Sequence, residues 1–178
     1  MNASVTVRTA TAEDAAAIAS IYNAYVLDTV VTFEVDPVSD QDMAARIDKV
    51  HAAGLPYLVA EDADAVLGFA YAAPFRERAA YVHSLESTVY LPEGVVGRGI
   101  GSALYAELLA RLRTLEASDS PHAPVHRVYA GIALPNHASA ALHEKFGFTR
   151  VALFGEVGRK FDRWIDVGFW ELVLGSDG

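Results

Sequence analysis

A glycine-rich segment in the middle of the chain has the residue types that can hold a phosphate group. Gly97, Gly99 and Gly101 alternate with other residues between a predicted strand and a strongly amphipathic stretch. Because glycine has no Cβ, the backbone N–H groups of such a loop can turn inward toward a ligand. The first turn of the following helix adds unpaired N–H groups and a partial positive charge. A loop of this composition can therefore bind a diphosphate.

Other interpretations of this loop differ in the residues that they require. A Walker loop ends in Gly-Lys-Ser/Thr, and no Lys lies there. A dinucleotide fingerprint needs Gly where Ser102 stands and follows the first strand of a βαβ unit, whereas this loop lies in mid-chain. A plain strand-to-helix turn fits the same residues. The pattern alone therefore leaves the phosphate site and the plain turn open.

Stretches of helical periodicity flank the loop. The predicted helices cover residues 11–27, 39–54, 99–115 and 135–147. Thr11 and Asp14 open the first in a capping-box pattern, and Gly54 ends the second. The third has a buried stripe that consists of Ile100, Leu104, Leu108, Leu112 and Leu115.

Apolar runs bounded by turn residues predict the strands. After a first strand at the N-terminus, they cover residues 57–60, 66–71, 85–91, 128–134, 148–156 and 164–174. We expect residues 116–126, which are polar and contain two prolines, to form a loop. This order of elements predicts a single α+β domain over residues 1–178 with a mixed, mainly antiparallel sheet.

Composition restricts the classes of protein to which the chain can belong. Of its 178 residues, 52% are hydrophobic, which excludes intrinsic disorder. No run reaches the ~20 apolar residues that span a bilayer, so we expect no membrane partner. The formal net charge of −9 disfavours nucleic acid as a partner. The chain has no Cys, which excludes thiolate zinc sites and fits a cytoplasmic location, and we expect no metal site.

Several segments together resemble the GNAT N-acetyltransferases: LESTVYL, the glycine loop, LPN and ALHEKFGF. The segments IYNAYVLDTVVTFEVDP, APFRERAAYVHSLESTVY and WIDVGFWEL are more closely similar to the phosphinothricin and methionine-sulfoximine N-acetyltransferases. The resemblance covers about residues 5–174. It implies the GNAT fold, in which a central sheet, here flanked by the predicted helices, splays into a V-shaped opening.

The resemblance also implies a site for the co-substrate acetyl-CoA, whose pantetheine arm pairs in the opening like an extra strand. The matching positions are Val89, Tyr90, Leu91 and Asn136 for the pantetheine and thioester, and Gly97, Arg98, Gly99, Ile100, Gly101 and Ser102 for the pyrophosphate. Val96 stands where the family usually has Arg or Gln. This departure puts the affinity for acetyl-CoA in question.

Glu86 and His143 are the catalytic residues that the resemblance implies. An amine must be neutral to attack a thioester. Because the pKa of an α-amino group is about 7.7–8.0, a weak base is enough to remove its proton near neutral pH. The family places its base at Glu86, whose pKa burial would raise toward neutrality. His143 stands where many relatives have Tyr. It would either protonate the leaving thiolate or hydrogen-bond near the cofactor arm.

The residues before the strand of Glu86 would bind the anionic end of an amino-acid acceptor. Guanidinium groups donate to carboxylate or phosphinate oxygens in a fork, although a solvated run of charges is the other interpretation of this stretch. The acceptor-binding residues that the resemblance implies are Phe33, Arg76, Arg78, Tyr81, Leu85, Glu86 and Ser87.

We therefore expect the acetyl group of acetyl-CoA to be transferred to the α-amino group of phosphinothricin, methionine sulfoximine or methionine sulfone. One alternative is another amine, such as a polyamine, an aminoglycoside or a protein N-terminus; the arginines would repel cationic acceptors. The other is a non-catalytic module that binds acyl-CoA. The resemblance also implies a homodimer that meets through the last strands.

Overall fold

The computed structural model describes residues 5–63, 65–95 and 97–175. Its strands are β1 (Thr6–Thr9), β2 (Tyr57–Asp62), β3 (Ala65–Pro74), β4 (Ser84–Tyr90), β5 (Arg127–Ala133), β6 (Thr149–Lys160) and β7 (Arg163–Val173). Its α-helices are α1 (Ala15–Asp28), α2 (Asp40–Ala52), α3 (Ile100–Arg113) and α4 (His137–Lys145), with short 3₁₀ turns at Ala12–Asp14, Ala79–Tyr81 and Glu93–Val95.

The strands form one seven-stranded sheet in the order β1-β2-β3-β4-β5-β7-β6. Neighbouring strands are antiparallel except β4 and β5, which run parallel. A parallel connection needs a crossover, and the segment that contains α3 supplies it. The predicted α+β class with a mainly antiparallel sheet is confirmed.

The helices begin and end at the residues that favour such ends. The Ser39 hydroxyl accepts a hydrogen bond from the Asp42 N–H at 3.1 Å and caps α2, and Gly54 follows that helix with a φ of +67°. α3 buries its predicted leucine stripe, but it ends at Arg113. The prediction that Leu115 belongs to this helix is therefore wrong, although Leu115 still packs against the core.

Stacked aromatic rings cover the central strands on the side where α1 packs. The rings of Tyr57 and Phe69 are stacked with centroids 5.9 Å apart, and Phe69 and Tyr90 follow at 5.5 Å. Tyr22 and Tyr25 of α1 meet Tyr90 edge-on at 5.2 and 4.9 Å. These contacts hold β3 and β4 rigidly against the helix, so that the end of β4 has a defined position.

The sheet opens between β4 and β5. The two strands pair only at Ser84–Arg127, Leu85–Val128 and Glu86–Tyr129, although both continue for several residues beyond. Beyond Glu86, β4 remains paired with β3, and β5 remains paired with β7. The facing backbone groups are therefore left without strand partners, and this V-shaped opening is the one that the resemblance implied.

Side-chain contacts hold the loop of residues 116–126 against the end of α2 and the segment that joins β3 to β4. The Ser120 hydroxyl donates to the carbonyl of Ala53 at 2.8 Å, and His122 Nδ1 donates to the carbonyl of Val82 at 2.7 Å. The loop therefore lies against the segment that joins β3 to β4. None of the described helices combines the length and the apolar composition needed to cross a bilayer.

Candidate active site

A cleft of about 490 Å³ lies where β4 and β5 separate. It is lined by one flank of each strand, by α4 and by residues of the α1–α2 and β6–β7 segments. The predicted residues along it are Phe33, Arg76, Glu86, Ser87, Val89, Tyr90, Asn136 and His143. The structure thus brings together in one space candidates that are more than a hundred residues apart in the chain.

Glu86 lies at the last paired position of β4, where the opening begins. Its Oε1 would be 3.4 Å from a Cβ built on Gly131 of β5, so the carboxylate points across the gap between the strands. Among the described residues, no hydrogen-bond partner of this carboxylate is found. Burial raises the pKa of Glu86, and the nearby Arg76 guanidinium partly opposes that rise. These properties suit a general base.

Arg76 and Phe33 line the same cleft as Glu86. The Arg76 guanidinium stacks 4.1 Å above the ring of Phe75 and donates to the Phe75 carbonyl at 2.9 Å, which leaves most of its N–H groups free for an anion. Phe33 is 42% exposed and packs against Gly158 of β6, where a side chain would collide with its ring. Arg76 and Phe33 are therefore positioned to hold an acceptor close to the carboxylate.

Not every predicted acceptor residue lines this cleft. Arg78 and Tyr81 line a larger neighbouring cavity of about 1120 Å³, which shares Arg76 with the cleft. The side chain of Leu85 is fully buried in the core, so it can offer a substrate only its backbone. Strand alternation explains the burial of Leu85, because its side chain points to the face of β4 opposite to that of Glu86.

Both ring nitrogens of His143 already have partners. Nδ1 donates to the carbonyl of Ser139 at 2.7 Å, so Nε2 is the nitrogen that accepts from the hydroxyl of Tyr105, at 2.5 Å. Burial lowers the pKa of His143, and the bond to Ser139 only partly opposes this. The Tyr105 hydroxyl also lies 2.9 Å from Ser87 Oγ. The histidine is thus a neutral anchor of a buried chain of hydroxyls.

Tyr105 is a residue of the site that the sequence interpretation missed. It is fully buried on α3 and connects two residues that line the cleft, Ser87 of β4 and His143 of α4. The available signal was a hydroxyl within the leucine stripe, since a tyrosine at such a position needs a hydrogen-bond partner when it is buried. Its partners could not be read from the sequence because they are contributed by β4 and α4.

The glycine loop provides an open cradle in front of α3. Gly97 and Gly99 have φ values of +87° and +82°, and a Cβ on either would meet no protein atom within 4 Å. Both are exposed, as is Arg98, whereas Gly101 is buried against Leu91. The space is therefore free for a ligand that receives backbone N–H bonds at the start of the helix. Val96 lies outside the described residues.

Side chains around the cradle have defined roles. Ser102 Oγ accepts from Lys145 Nζ at 2.8 Å, which brings a cation of α4 to the first turn of α3. The Leu91 carbonyl accepts a hydrogen bond from the hydroxyl of Tyr25, which ties the residue after β4 to α1. Asn136 Oδ1 caps α4 by accepting from the Ser139 N–H at 3.1 Å.

The residues of the cleft and the cradle suit an elongated ligand with a diphosphate group. Unpaired strand edges lie at one end, and the glycines at the start of α3 lie at the other, so a linear molecule can follow β4 outward. Ile100 contributes a buried side chain that holds the start of the helix in place. In the described part of the chain, no group of three or more His, Asp or Glu residues is arranged to hold a metal ion.

Comparisons with known proteins agree with this geometry. The model of the acetyltransferase (GNAT) domain matches residues 7–168. The chain is 43% identical over 176 residues to a phosphinothricin N-acetyltransferase of Streptomyces coelicolor, covering 97% of this chain and 98% of that protein. It is 33% identical over 170 residues to an L-methionine sulfoximine/L-methionine sulfone acetyltransferase of Salmonella typhimurium, covering 96% and 95%.

A solved structure shows the same fold. The GNAT superfamily phosphinothricin acetyltransferase (Pat) of Sinorhizobium meliloti, in complex with AcCoA, superposes with a TM-score of 0.88 at 38% identity, over 96% of this chain and 89% of that one. The resemblance stated from the sequence is therefore confirmed by sequence and by structure. The chain belongs to the GNAT acetyltransferases, and it is an enzyme that transfers acetyl groups.

Proposed function

We propose that the enzyme transfers the acetyl group of acetyl-CoA to the α-amino group of a small anionic amino-acid analogue of the phosphinothricin, methionine sulfoximine or methionine sulfone type. The observation that carries this proposal is the half-buried, unpartnered carboxylate of Glu86 beside Arg76, at the point where the strands separate. A base and an anion-binding cation are thus held next to each other. The names of the relatives supply the acceptor class.

Acetyl-CoA would supply an acetyl group activated as a thioester. The cradle at Gly97 to Ser102 would hold its pyrophosphate, and the open edge of β4 at Val89 to Leu91 would bind its pantetheine through backbone groups. The fit rests on the positive φ values and the empty space at Gly97 and Gly99. The related Pat structure was solved with AcCoA, which supports the same co-substrate here.

Glu86 would take a proton from the ammonium group of the acceptor, directly or through water, so that the neutral nitrogen can attack the thioester directly. Its raised pKa brings the carboxylate closer to the pKa of the amine, which makes the transfer easier. Backbone N–H groups at the end of β4 would stabilise the negative charge that develops on the thioester oxygen. Such donors contribute about 3–4 kcal/mol when they are well aimed.

Arg76 and Phe33 would position the acceptor, and His143 would position the strand. The guanidinium binds the carboxylate or phosphinate, and the ring covers the apolar part of the molecule. Because both nitrogens of His143 are occupied, we assign it the role of holding Tyr105 and Ser87 in place. We prefer this role to that of an acid. Collapse of the tetrahedral intermediate would break the C–S bond and release CoA as a thiolate, which would take up the proton that the attacking nitrogen loses or one from solvent.

We also propose that residues 1–178 form one acyl-CoA N-acyltransferase domain that works as a homodimer in the cytoplasm. A single sheet runs from Thr6 to Val173, and the family model matches 7–168. β6 is an edge strand and exposes large apolar side chains. Those on β6 and at the start of β7 are Val151, Leu153, Phe154, Val157 and Trp164. Exposed apolar surface on an edge strand favours association with a second copy.

A panel of acceptors with acetyl-CoA tests the proposed function. We expect acetylation of phosphinothricin, methionine sulfoximine and methionine sulfone, measured by release of free thiol, and at least tenfold lower kcat/KM for spermidine, kanamycin and an N-terminal peptide. Acetylation of spermidine without any amino-acid analogue would overturn the proposed acceptor. Tight binding of acetyl-CoA without transfer to any of these amines would favour a non-catalytic module instead.

A further inference from the structure

The cavity of about 1120 Å³ beside the cleft lies between α2 and the segment that joins β3 to β4. It is larger than the ~300–1000 Å³ of most small-molecule sites, and a single amino acid would fill only a fraction of it. Its lining is continuous with that of the cleft because Arg76 belongs to both. Ala73, which pairs with Glu86 across β3 and β4, also lines it. A ligand that reaches Glu86 can therefore extend into this cavity.

The cavity is rich in positive charge although the whole chain carries −9. Arg46, Lys49, Arg76 and Arg78 line it, against the single carboxylate of Glu77. Arg46 is neutralised by a bidentate ion pair with Glu34, which lies outside the lining; the N···O distances are 2.7 and 3.0 Å. Within the described residues, Lys49, Arg76 and Arg78 form no ion pair. The cavity thus has a net positive charge that an anionic ligand would balance.

The half-buried ring of Tyr71 lies at the floor of the cavity and is backed by buried rings. Tyr57 and Tyr71 stack with centroids 4.7 Å apart and planes at 15°, and Tyr57 also stacks on Phe69. Flat rings pack well against methylene groups and against the plane of an amide. An aromatic floor together with cations in the lining suits a chain with an apolar or amide middle and an anionic end.

We propose that this cavity is a second compartment of the acceptor site, which binds the distal anionic end of an extended α-amino acid, with γ-glutamyl peptides as the type. Such a molecule keeps the α-amino and α-carboxylate groups of a short acceptor for the cleft. Its lengthened side chain would pass Arg76, cross the aromatic floor and place its terminal carboxylates near Lys49 and Arg78. This inference rests on the proposed function, because it requires an α-amino group at Glu86.

Three acceptors and two variants test the compartment. Methionine sulfone fills only the cleft, γ-glutamylglutamate adds distal carboxylates, and γ-glutamylputrescine adds a distal cation on the same amino-acid head. Lys49→Glu reverses a charge of the cavity on an exposed residue in the last turn of α2. Arg113→Glu is the matched control, since Arg113 is an exposed cation in the last turn of α3 that lines neither cavity.

We expect kcat/KM for γ-glutamylglutamate to exceed that for γ-glutamylputrescine about tenfold in the native enzyme. Lys49→Glu should raise KM for γ-glutamylglutamate and so lower kcat/KM about tenfold, whereas kcat/KM for methionine sulfone should stay unchanged. Arg113→Glu should change kcat/KM for neither acceptor. Titration calorimetry with γ-glutamylglutamate should show the same loss of binding in Lys49→Glu, independently of turnover.

The inference is overturned, with the proposed function intact, if methionine sulfone is acetylated and the two γ-glutamyl compounds react equally. It is also overturned if Lys49→Glu lowers the rates with short and extended acceptors by the same factor, or changes none of them. If no α-amino acid of any length is acetylated, the proposed function itself fails and this inference fails with it.

Discussion

At the scale of single residues, Glu86 combines a chemical use with a cost in stability. Its carboxylate is half-buried and has no hydrogen-bond partner among the described residues, so the folded state disfavours its ionised form. The folded protein therefore binds a proton at Glu86 more readily than the unfolded chain does. Ionisation of Glu86 above its raised pKa then costs folding free energy.

Glu86→Gln should for this reason raise the melting temperature at pH 8. The neutral amide removes the cost of a buried charge, while below the unfolded pKa of about 4.3 both states of the native protein are protonated and the cost is absent. The difference in Tm between variant and native protein should shrink as the pH falls from 8 to 4. Calorimetric scans across this range measure it, and a difference that grows toward acid would contradict the raised pKa.

Gly131 controls the space around the base. A Cβ at this position would stand 3.4 Å from Glu86 Oε1 and 3.3 Å from the ring of Phe169. Gly131→Ala should therefore press on the ring of Phe169 and fill the space in which the carboxylate meets the acceptor, so that kcat/KM for the acceptor falls by about 10- to 100-fold. Gly155→Ala is the control, because its Cβ would meet Asp166 Oδ1 at an ordinary 3.9 Å and its rates should stay native. Native rates in Gly131→Ala would show that the carboxylate has room to move.

These residues show which parts of the candidate site could be predicted from the sequence. Glu86 could be predicted because it stands in a recognisable motif, and Arg76 because its side-chain chemistry fits an anionic acceptor. Gly131 and Tyr105 act through contacts across strands and helices, which local sequence does not encode. Leu85 could be placed on β4, but only the structure shows that its side chain is in the core.

At the scale of elements, the site depends on two features of the backbone. One is the separation of β4 from β5 after three residue pairs, and the other is the left-handed conformation of the loop before α3. Periodicity in the sequence predicts the strands and helices to within a few residues. It cannot predict where two parallel strands stop pairing, because that depends on register and on neighbours that the local residues do not specify. The V-shaped opening was predicted only from the resemblance to the family.

Gly99→Ala tests the role of the loop. A φ of +82° costs an L-residue about 1–2 kcal/mol, and the new methyl group would enter the cradle. We expect a lower Tm and an acetyl-CoA Kd raised at least tenfold, measured by titration calorimetry. Gly94→Ala is the matched control, since its Cβ also meets open space and no positive φ is found there. A Kd in Gly99→Ala equal to that of the native enzyme would show that the loop does not contribute to acetyl-CoA binding.

At the scale of the whole molecule, the exposed apolar surface of β6 leads to a prediction about assembly. Leu153 is 53% exposed on this edge strand, which is a large apolar area to leave in water. Leu153→Asp should convert the proposed homodimer into a monomer in sedimentation velocity. Val173→Asp, at the end of β7 and 45% exposed, should leave the dimer intact. A native protein that sediments as a monomer would contradict the proposal.

In the proposed mechanism, the backbone site for acetyl-CoA and the base Glu86 share one opening of the sheet. Binding of acetyl-CoA would then depend on the main chain of β4 and the glycine loop, whereas proton transfer would depend on one side chain. A substitution of Glu86 that preserves the shape of its side chain should therefore impair proton transfer without impairing acetyl-CoA binding.

The kinetics of Glu86→Gln with methionine sulfone, measured together with its affinity for acetyl-CoA, test this account most directly. We predict that kcat falls by about 10²–10⁴-fold and that the dependence of kcat/KM on the protonation of Glu86 disappears, while the Kd for acetyl-CoA stays within about twofold of native. A variant that turns over at the native rate, or that loses acetyl-CoA binding in parallel with turnover, would contradict the account.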